Sequence, residues 1–277
     1  MNEFFIYNDL HYPLGTPVIP PTNRSFRYGD GVFETMKMVN GHLVNETYHF
    51  QRLFHGLELL HFAPPAGFDA AFLAARIREL VFGNGQETSA RIRLTVFRGD
   101  GGLFDLSDLT PHYLIESSTL PGNTFQEDGL SIDLFPGGEK SCDRFSNLKS
   151  NNYLLPVMAA LHARSHGLQE CLILNGQGRI CESATSNVFL VTGREILTPP
   201  LEDGCVAGVM RRWLLERLEL PGYRLREKSL VPADLDGADE LFLTNAITCL
   251  RWVKTFRQKK YVNTLARQIY ERAVAAR

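Results

Sequence analysis

The run Arg91-Ile92-Arg93-Leu94-Thr95-Val96-Phe97 alternates polar and apolar side chains. A period of two is what a half-buried strand requires, and a helix cannot use it. The segments before it follow the other period. Phe50, Leu53, Phe54, Leu57 and Leu60 form an apolar stripe at helical spacing. That stripe predicts a helix over 48–62, with cap chemistry from Asn45-Glu46-Thr47. A second amphipathic helix is predicted over 68–82, after Pro64-Pro65 and before the stop Gly83-Asn84-Gly85. Residues 1–30 read as irregular, rich in Pro and Gly, and end in Tyr28-Gly29-Asp30-Gly31. An extended run over 32–39 then turns at Asn40-Gly41 into His42-Leu43-Val44, which is a hairpin signal.

The 277 residues suit one large domain or two of ordinary size. A strand is predicted over 112–116, and the best linker follows it, around Leu120-Pro121-Gly122-Asn123. The expected domains are therefore 1–118 and 126–277, joined by a linker at 119–125. Hydrophobic residues make up 44% and charged residues 22%, as in a globular protein that works in water. The net charge of -2 points to neither nucleic acid nor an acidic membrane surface. No window approaches the length of a membrane span. The cysteines, Cys142, Cys171, Cys181, Cys205 and Cys249, form no C-x-x-C pair, so no metal site is expected. Cys171 and Cys181 could face each other across a hairpin, and two reduced core thiols are the expected reading. The first ten residues lack the basic start and apolar core of a secretory signal, so a cytoplasmic protein is expected.

In the second half a strand-like run, Leu130-Ser131-Ile132-Asp133-Leu134-Phe135, leads across a Gly/Pro break towards Ser146-Asn147-Leu148-Lys149-Ser150-Asn151-Asn152. A helix is predicted over 153–166, with Leu154, Val157, Met158 and Leu161 as its apolar layer. Lys149 thus stands where a loop becomes a helix. A lysine held there and partly desolvated can attack a carbonyl. Further on come Cys171-Leu172-Ile173-Leu174, a turn through Asn175-Gly176-Gln177-Gly178 and a returning strand that runs into Glu182. A helix opens at Gly208, a short buried strand ends in Thr244-Asn245-Ala246, and an amphipathic helix closes the chain over 263–277.

Four features could meet one ligand. Lys149 offers an amine. Glu182, at a strand end, could pair with a heterocyclic nitrogen and hold it protonated. The helix start at Gly208 offers amides and a dipole to a phosphate. Arg52, in His49-Phe50-Gln51-Arg52-Leu53, suits bidentate phosphate contact. An amine, a carboxylate, a phosphate cradle and an arginine describe a site for pyridoxal phosphate.

Six stretches in order give the chain a resemblance to the class IV, fold-type IV pyridoxal-phosphate enzymes. These include branched-chain and D-amino acid aminotransferases and aminodeoxychorismate lyases. The stretches are Tyr28-Gly29-Asp30-Gly31-Val32-Phe33-Glu34, Arg52-Leu53, Lys149-Ser150-Asn151-Asn152, Glu182 with Asn187-Val188-Phe189, Gly208-Val209-Met210-Arg211 and Thr244-Asn245-Ala246. The resemblance implies an α+β fold of two domains, similar to D-amino acid aminotransferase, with the cofactor in the interdomain cleft, and a homodimer. It implies Lys149 as the Schiff-base lysine and Glu182 as the partner of the pyridine nitrogen. Arg52 and the backbone amides of Val209 and Met210 would hold the phosphate, with Asn245 and Ala246 nearby. Tyr28 and Phe33 match positions that line the substrate pocket.

Some positions depart from the family. Met210 and Ala246 lack hydroxyls common among the transaminases, and Asn245-Ala246 looks more like the lyase branch. Relatives carry a substrate-carboxylate arginine in the loop after Arg98, where this chain has Gly101-Gly102-Leu103-Phe104. Arg98 remains a candidate for that contact, with bracing of its loop as the other reading. The leading expectation is an aminotransferase acting on an amino acid and a 2-oxo acid. The alternatives are a lyase that releases pyruvate and 4-aminobenzoate from 4-amino-4-deoxychorismate, and a non-catalytic binding protein on the same fold.

Overall fold

The computed structural model describes residues 3–105, 107–122 and 124–275. Met1 and Asn2 of the N-terminal stretch, Asn123 of the expected linker, and Ala276 and Arg277 of the expected last helix lie outside the described residues. The chain forms two compact units. The first holds the described residues up to Gly122 together with Leu148–Asn152, and the second holds the rest.

The first unit runs β1 (Phe4–Tyr7), β2 (Leu10–Pro13), α1 (Arg24–Tyr28), β3 (Gly31–Val39), β4 (His42–Leu43), α2 (Glu46–Leu59), α3 (Ala70–Gly83), β5 (Ser89–Phe97) and β6 (His112–Thr119). Its strands form one antiparallel sheet in the order β2-β1-β6-β5-β3-β4. The alternation in β5 decides which face is buried. Ile92, Leu94 and Val96 point into a core with Met36 and Met38 of β3, while Arg91 stays exposed. Phe50, Leu53 and Leu57 of α2 and Leu73, Ile77 and Leu80 of α3 cover that core. The N-terminal stretch differs from the irregular reading. It holds a hairpin whose two-residue loop, Asn8-Asp9, has φ of 46° and 69°. Asn and Asp tolerate that left-handed conformation, so the pair serves as a tight hairpin turn without glycine.

The second unit runs β7 (Leu130–Leu134), α4 (Leu154–Ser165), β8 (Glu170–Leu174), β9 (Ile180–Ser183), β10 (Asn187–Thr192), β11 (Glu195–Thr198), α5 (Val209–Arg217), β12 (Arg224–Glu227), α6 (Pro232–Asp236), β13 (Glu240–Asn245), β14 (Cys249–Phe256), β15 (Lys259–Lys260) and α7 (Thr264–Ala275). Its sheet has the order β12-β11-β10-β13-β14-β7-β8-β9, with β15 on β14. β7 lies parallel to both of its neighbours. The start of α7 is held by a buried carboxylate on β13. Glu240 accepts the amides of Leu265 and Ala266 at 2.7 and 2.9 Å, which satisfies two first-turn donors.

The apolar layer expected on α4 is not packed inward. Leu154, Val157, Met158 and Leu161 are 74, 47, 45 and 57% exposed, and the helix meets its core through Leu155, Ala159 and Ala163 instead. Small residues let α4 lie close to Phe135, Cys171 and Ile173, so the bulkier stripe faces outward. Cys171 and Cys181 are both buried and reduced. Among the described residues no helix is long and apolar enough to cross a membrane, and no cluster of His, Cys, Asp or Glu is placed to hold a metal.

Phe189 and Phe242 face each other across β10 and β13 with ring centroids 5.1 Å apart, and both are fully buried. Phe242→Ala is expected to destabilise the protein by about 3–5 kcal/mol through the cavity it leaves. Urea unfolding at neutral pH checks this, and a loss below about 1 kcal/mol contradicts it.

Candidate active site

The first unit carries Lys149 on main chain that pairs with β3. Phe33 N–H donates to the Lys149 carbonyl at 2.8 Å, and Asn151 N–H donates to the Gly31 carbonyl at 2.9 Å. Val32 and Ser150 face each other as an antiparallel bridge. The glycines of Tyr28-Gly29-Asp30-Gly31 make this approach possible. A Cβ on Gly29, whose φ is 70°, would lie 2.4 Å from Asn152 Oδ1. A Cβ on Gly31 would lie 2.7 Å from both Asn151 Nδ2 and the Val96 carbonyl. Asn151 Nδ2 also donates to Ser25 Oγ at 2.9 Å. The Lys149 amine is delivered to the Phe33 ring, with Nζ 4.5 Å from the ring centroid. The Arg93 guanidinium lies 3.9 Å from the same ring. Phe33 is buried and Tyr28, at the end of α1, is exposed.

Arg52 is one turn beyond His49 on α2, and both reach Glu34 of β3. Arg52 donates from Nε to Oε1 at 2.8 Å and from Nη2 to Oε2 at 2.5 Å. His49 Nδ1 lies 2.6 Å from Oε2. Burial alone would raise the Glu34 carboxyl. The Arg52 charge and the hydrogen bonds from His49 and Arg52 outweigh it and hold the group at about 2. Glu34 orients Arg52, yet the sequence offers only its spacing within Val32-Phe33-Glu34 to suggest so. Arg98 is drawn into its own loop. It pairs with Asp30 at 2.6 Å, donates to the Leu60 carbonyl and lies 4.2 Å from the Phe62 ring. Asp30 also receives Arg24 Nε at 2.9 Å, and Arg24 in turn holds the Gly102 and Asp105 carbonyls.

The second unit carries Glu182, buried on β9. One carboxylate oxygen receives Lys140 Nζ, and the other receives the Val206 amide at 2.8 Å. Lys140 carries no motif that would single it out. The turn ahead of α5 is tied down by side chains. Asn187 Nδ2 donates to the Val206 carbonyl at 2.9 Å, and Asn147 Nδ2 donates to the Leu201 and Cys205 carbonyls at 2.8 and 2.7 Å. Gly208 must be glycine here, because a Cβ would lie 1.8 Å from Asn187 Oδ1. The Val209 and Met210 side chains are buried, so only their backbone could meet a ligand at the start of α5. Asn245 braces its own turn. Its Oδ1 accepts Ile247 N–H, Thr248 N–H and Thr248 Oγ1, and its Nδ2 donates to Ser186 Oγ at 3.0 Å. Ala246 follows in that turn, half-buried.

The profile of the amino-transferase class IV family matches residues 31–256. The chain belongs to that family. Its members are enzymes that work with pyridoxal phosphate. This class IV chain is 29% identical over 244 residues to the aminodeoxychorismate lyase of Vibrio harveyi, covering 86% of this chain and 84% of that one. It is 28% identical over 233 residues to the D-alanine aminotransferase of Bacillus licheniformis, covering 80% and 77%. A branched-chain aminotransferase from Thermoproteus uzoniensis, solved with norvaline, has the same fold. The TM-score is 0.90 at 23% identity, over 99% of this chain and 94% of that one.

Glu34→Gln is expected to cost about 3 kcal/mol of stability at neutral pH. The folded pKa lies below the ordinary 4.5, so the contribution is full above that value and is lost as pH falls towards about 2. Urea titrations of both proteins should show the gap shrinking to less than half by about pH 3. A gap that does not change with pH contradicts this.

Proposed function

We propose that this class IV enzyme is a pyridoxal-phosphate-dependent transaminase that moves an amino group between an amino acid and a 2-oxo acid. The observation that carries the reading is Lys149, a lysine whose main chain is locked to β3 and whose amine is held against Phe33. The donors fit the cofactor in kind. Each Glu182 oxygen accepts one donor in this fold, and a carboxylate has about four lone-pair sites, so a protonated ring nitrogen can still be received. Arg52, oriented by Glu34, and the amides of Val209 and Met210 suit a phosphate, with Asn245 and Ala246 in the neighbouring turn. Bound pyridoxal phosphate supplies an aldehyde for an amine and an aromatic sink for a carbanion's electrons.

With the cofactor bound, Lys149 would hold its aldehyde, and the same amine, when free, would serve as base and then acid for a proton at the substrate carbon. Glu182 would pair with the ring nitrogen and favour its protonated form, and Lys140 keeps Glu182 in place. Tyr28 and Phe33 line the substrate position. Arg98 serves substrate by fixing its loop, given its bonds to Asp30 and Leu60. A second copy of the chain is the expected partner. The exposed apolar face of α4 supports this, as such a face favours association. The buried, reduced cysteines support a cytoplasmic setting.

A lyase acting on 4-amino-4-deoxychorismate is the second reading. It is favoured by Asn245-Ala246 and by the likeness to the Vibrio harveyi lyase. The two share their cofactor shell and separate on the substrate pocket.

The absorption spectrum of the purified protein, before and after amino acids of either hand, tests both. A transaminase is expected to lose its visible band to the amine form of the cofactor with at least one amino acid. A band that persists with every amino acid, while aminodeoxychorismate yields pyruvate, transfers the assignment to the lyase. Lys149→Ala should lower turnover by about 10³-fold. Turnover within tenfold of the unaltered protein contradicts the role of Lys149.

A further inference from the structure

The first unit contains a buried polar atom that the fold itself does not use. His49 is 1% exposed, and its Nε2 has no hydrogen-bond partner among the described residues. Buried polar atoms in native folds are nearly always paired, so an exception calls for an explanation, and a bound ion is one of them. The ring is not free to turn and find one. An ionised Glu34 can only accept, so His49 Nδ1 carries the proton of their 2.6 Å bond. In the neutral ring Nε2 is then a lone pair.

Among the described residues, the charged groups that act on the ring are Glu34 from β3, Arg52 from α2 and Lys149 from the segment paired with β3. Burial lowers the His49 pKa, contact with Glu34 opposes the fall, and the Arg52 and Lys149 charges add to it. The ring is therefore neutral near pH 7, set among more cationic than anionic neighbours. An arriving anion reverses that balance. It favours imidazolium, and the added proton can only go on Nε2, which then becomes a donor.

We propose that His49 is a second anion-binding group beside Arg52, taking up a proton and donating from Nε2 to the phosphate of the bound ligand. This rests on the reading that Arg52 meets the cofactor phosphate. Glu34 is then the shared support of both donors, and phosphate affinity should strengthen as pH falls towards the His49 range.

The test uses the full chain freed of cofactor and three probes: pyridoxal phosphate, pyridoxal and inorganic phosphate. His49→Asn keeps a donor near Nδ1 for Glu34 and removes Nε2. It is expected to weaken pyridoxal phosphate about tenfold while changing pyridoxal less than about twofold. Calorimetry in buffers of different ionisation heat should show about one more proton taken up by the unaltered protein than by the variant. Unchanged affinity for pyridoxal phosphate, or equal loss for pyridoxal, overturns the proposal, as does equal proton uptake. If the variant does not fold, the unaltered protein decides. Proton uptake with inorganic phosphate supports the site, and its absence overturns it. If the unaltered protein binds neither pyridoxal compound, the cofactor reading fails, and the inorganic phosphate arm still judges His49. Tighter binding of pyridoxal phosphate than of inorganic phosphate assigns the anion to the ester.

Discussion

The main-chain pairing of Leu148–Asn152 with β3 sets where the Lys149 amine can be. Two backbone hydrogen bonds make the pairing, and the bare Cα atoms of Gly29 and Gly31 admit it. Asn147 and Tyr153, on either side of the segment, belong to the second unit. A lysine side chain has four rotatable bonds and would otherwise sample a wide volume. Fixing its backbone and laying its amine on the Phe33 ring removes much of that freedom before any ligand arrives.

Each unit also stabilises a buried carboxylate that bears on the site. In the first, the Glu34 carboxylate is stabilised by Arg52 and His49, and the same contacts point both side chains. In the second, Glu182 sits between the Lys140 ammonium and the Val206 amide. Removing one partner of such a pair leaves a charge without compensation, so supporting residues are as constrained as those they support. The turn before α5 shows the same economy of parts. Asn147 and Asn187 hold its carbonyls, and Gly208 gives Asn187 room.

Much of this was legible from residue order. The alternation of β5 and the stripe of α2 read directly as strand and helix, because each buries one face of a regular element. The motif glycines were legible as family marks, but their reason, close approach of the Lys149 segment, is a fact of three dimensions. The Asn8-Asp9 hairpin is not legible in the sequence, because its turn lacks glycine. On α4 the periodicity marked the wrong face. A stripe shows that an element is amphipathic, but not whether its own fold or another surface covers the apolar side. Glu34 and Lys140 were illegible as supports, since nothing in a lone charged residue names its partner.

Reductive trapping tests the role of Lys149 most directly. The full-length protein, incubated with pyridoxal phosphate, is treated with borohydride, digested and mapped by mass spectrometry. A single phosphopyridoxyl group is expected on the peptide that contains Lys149. A label on another lysine, or no label although the cofactor is present, would contradict the role proposed for Lys149.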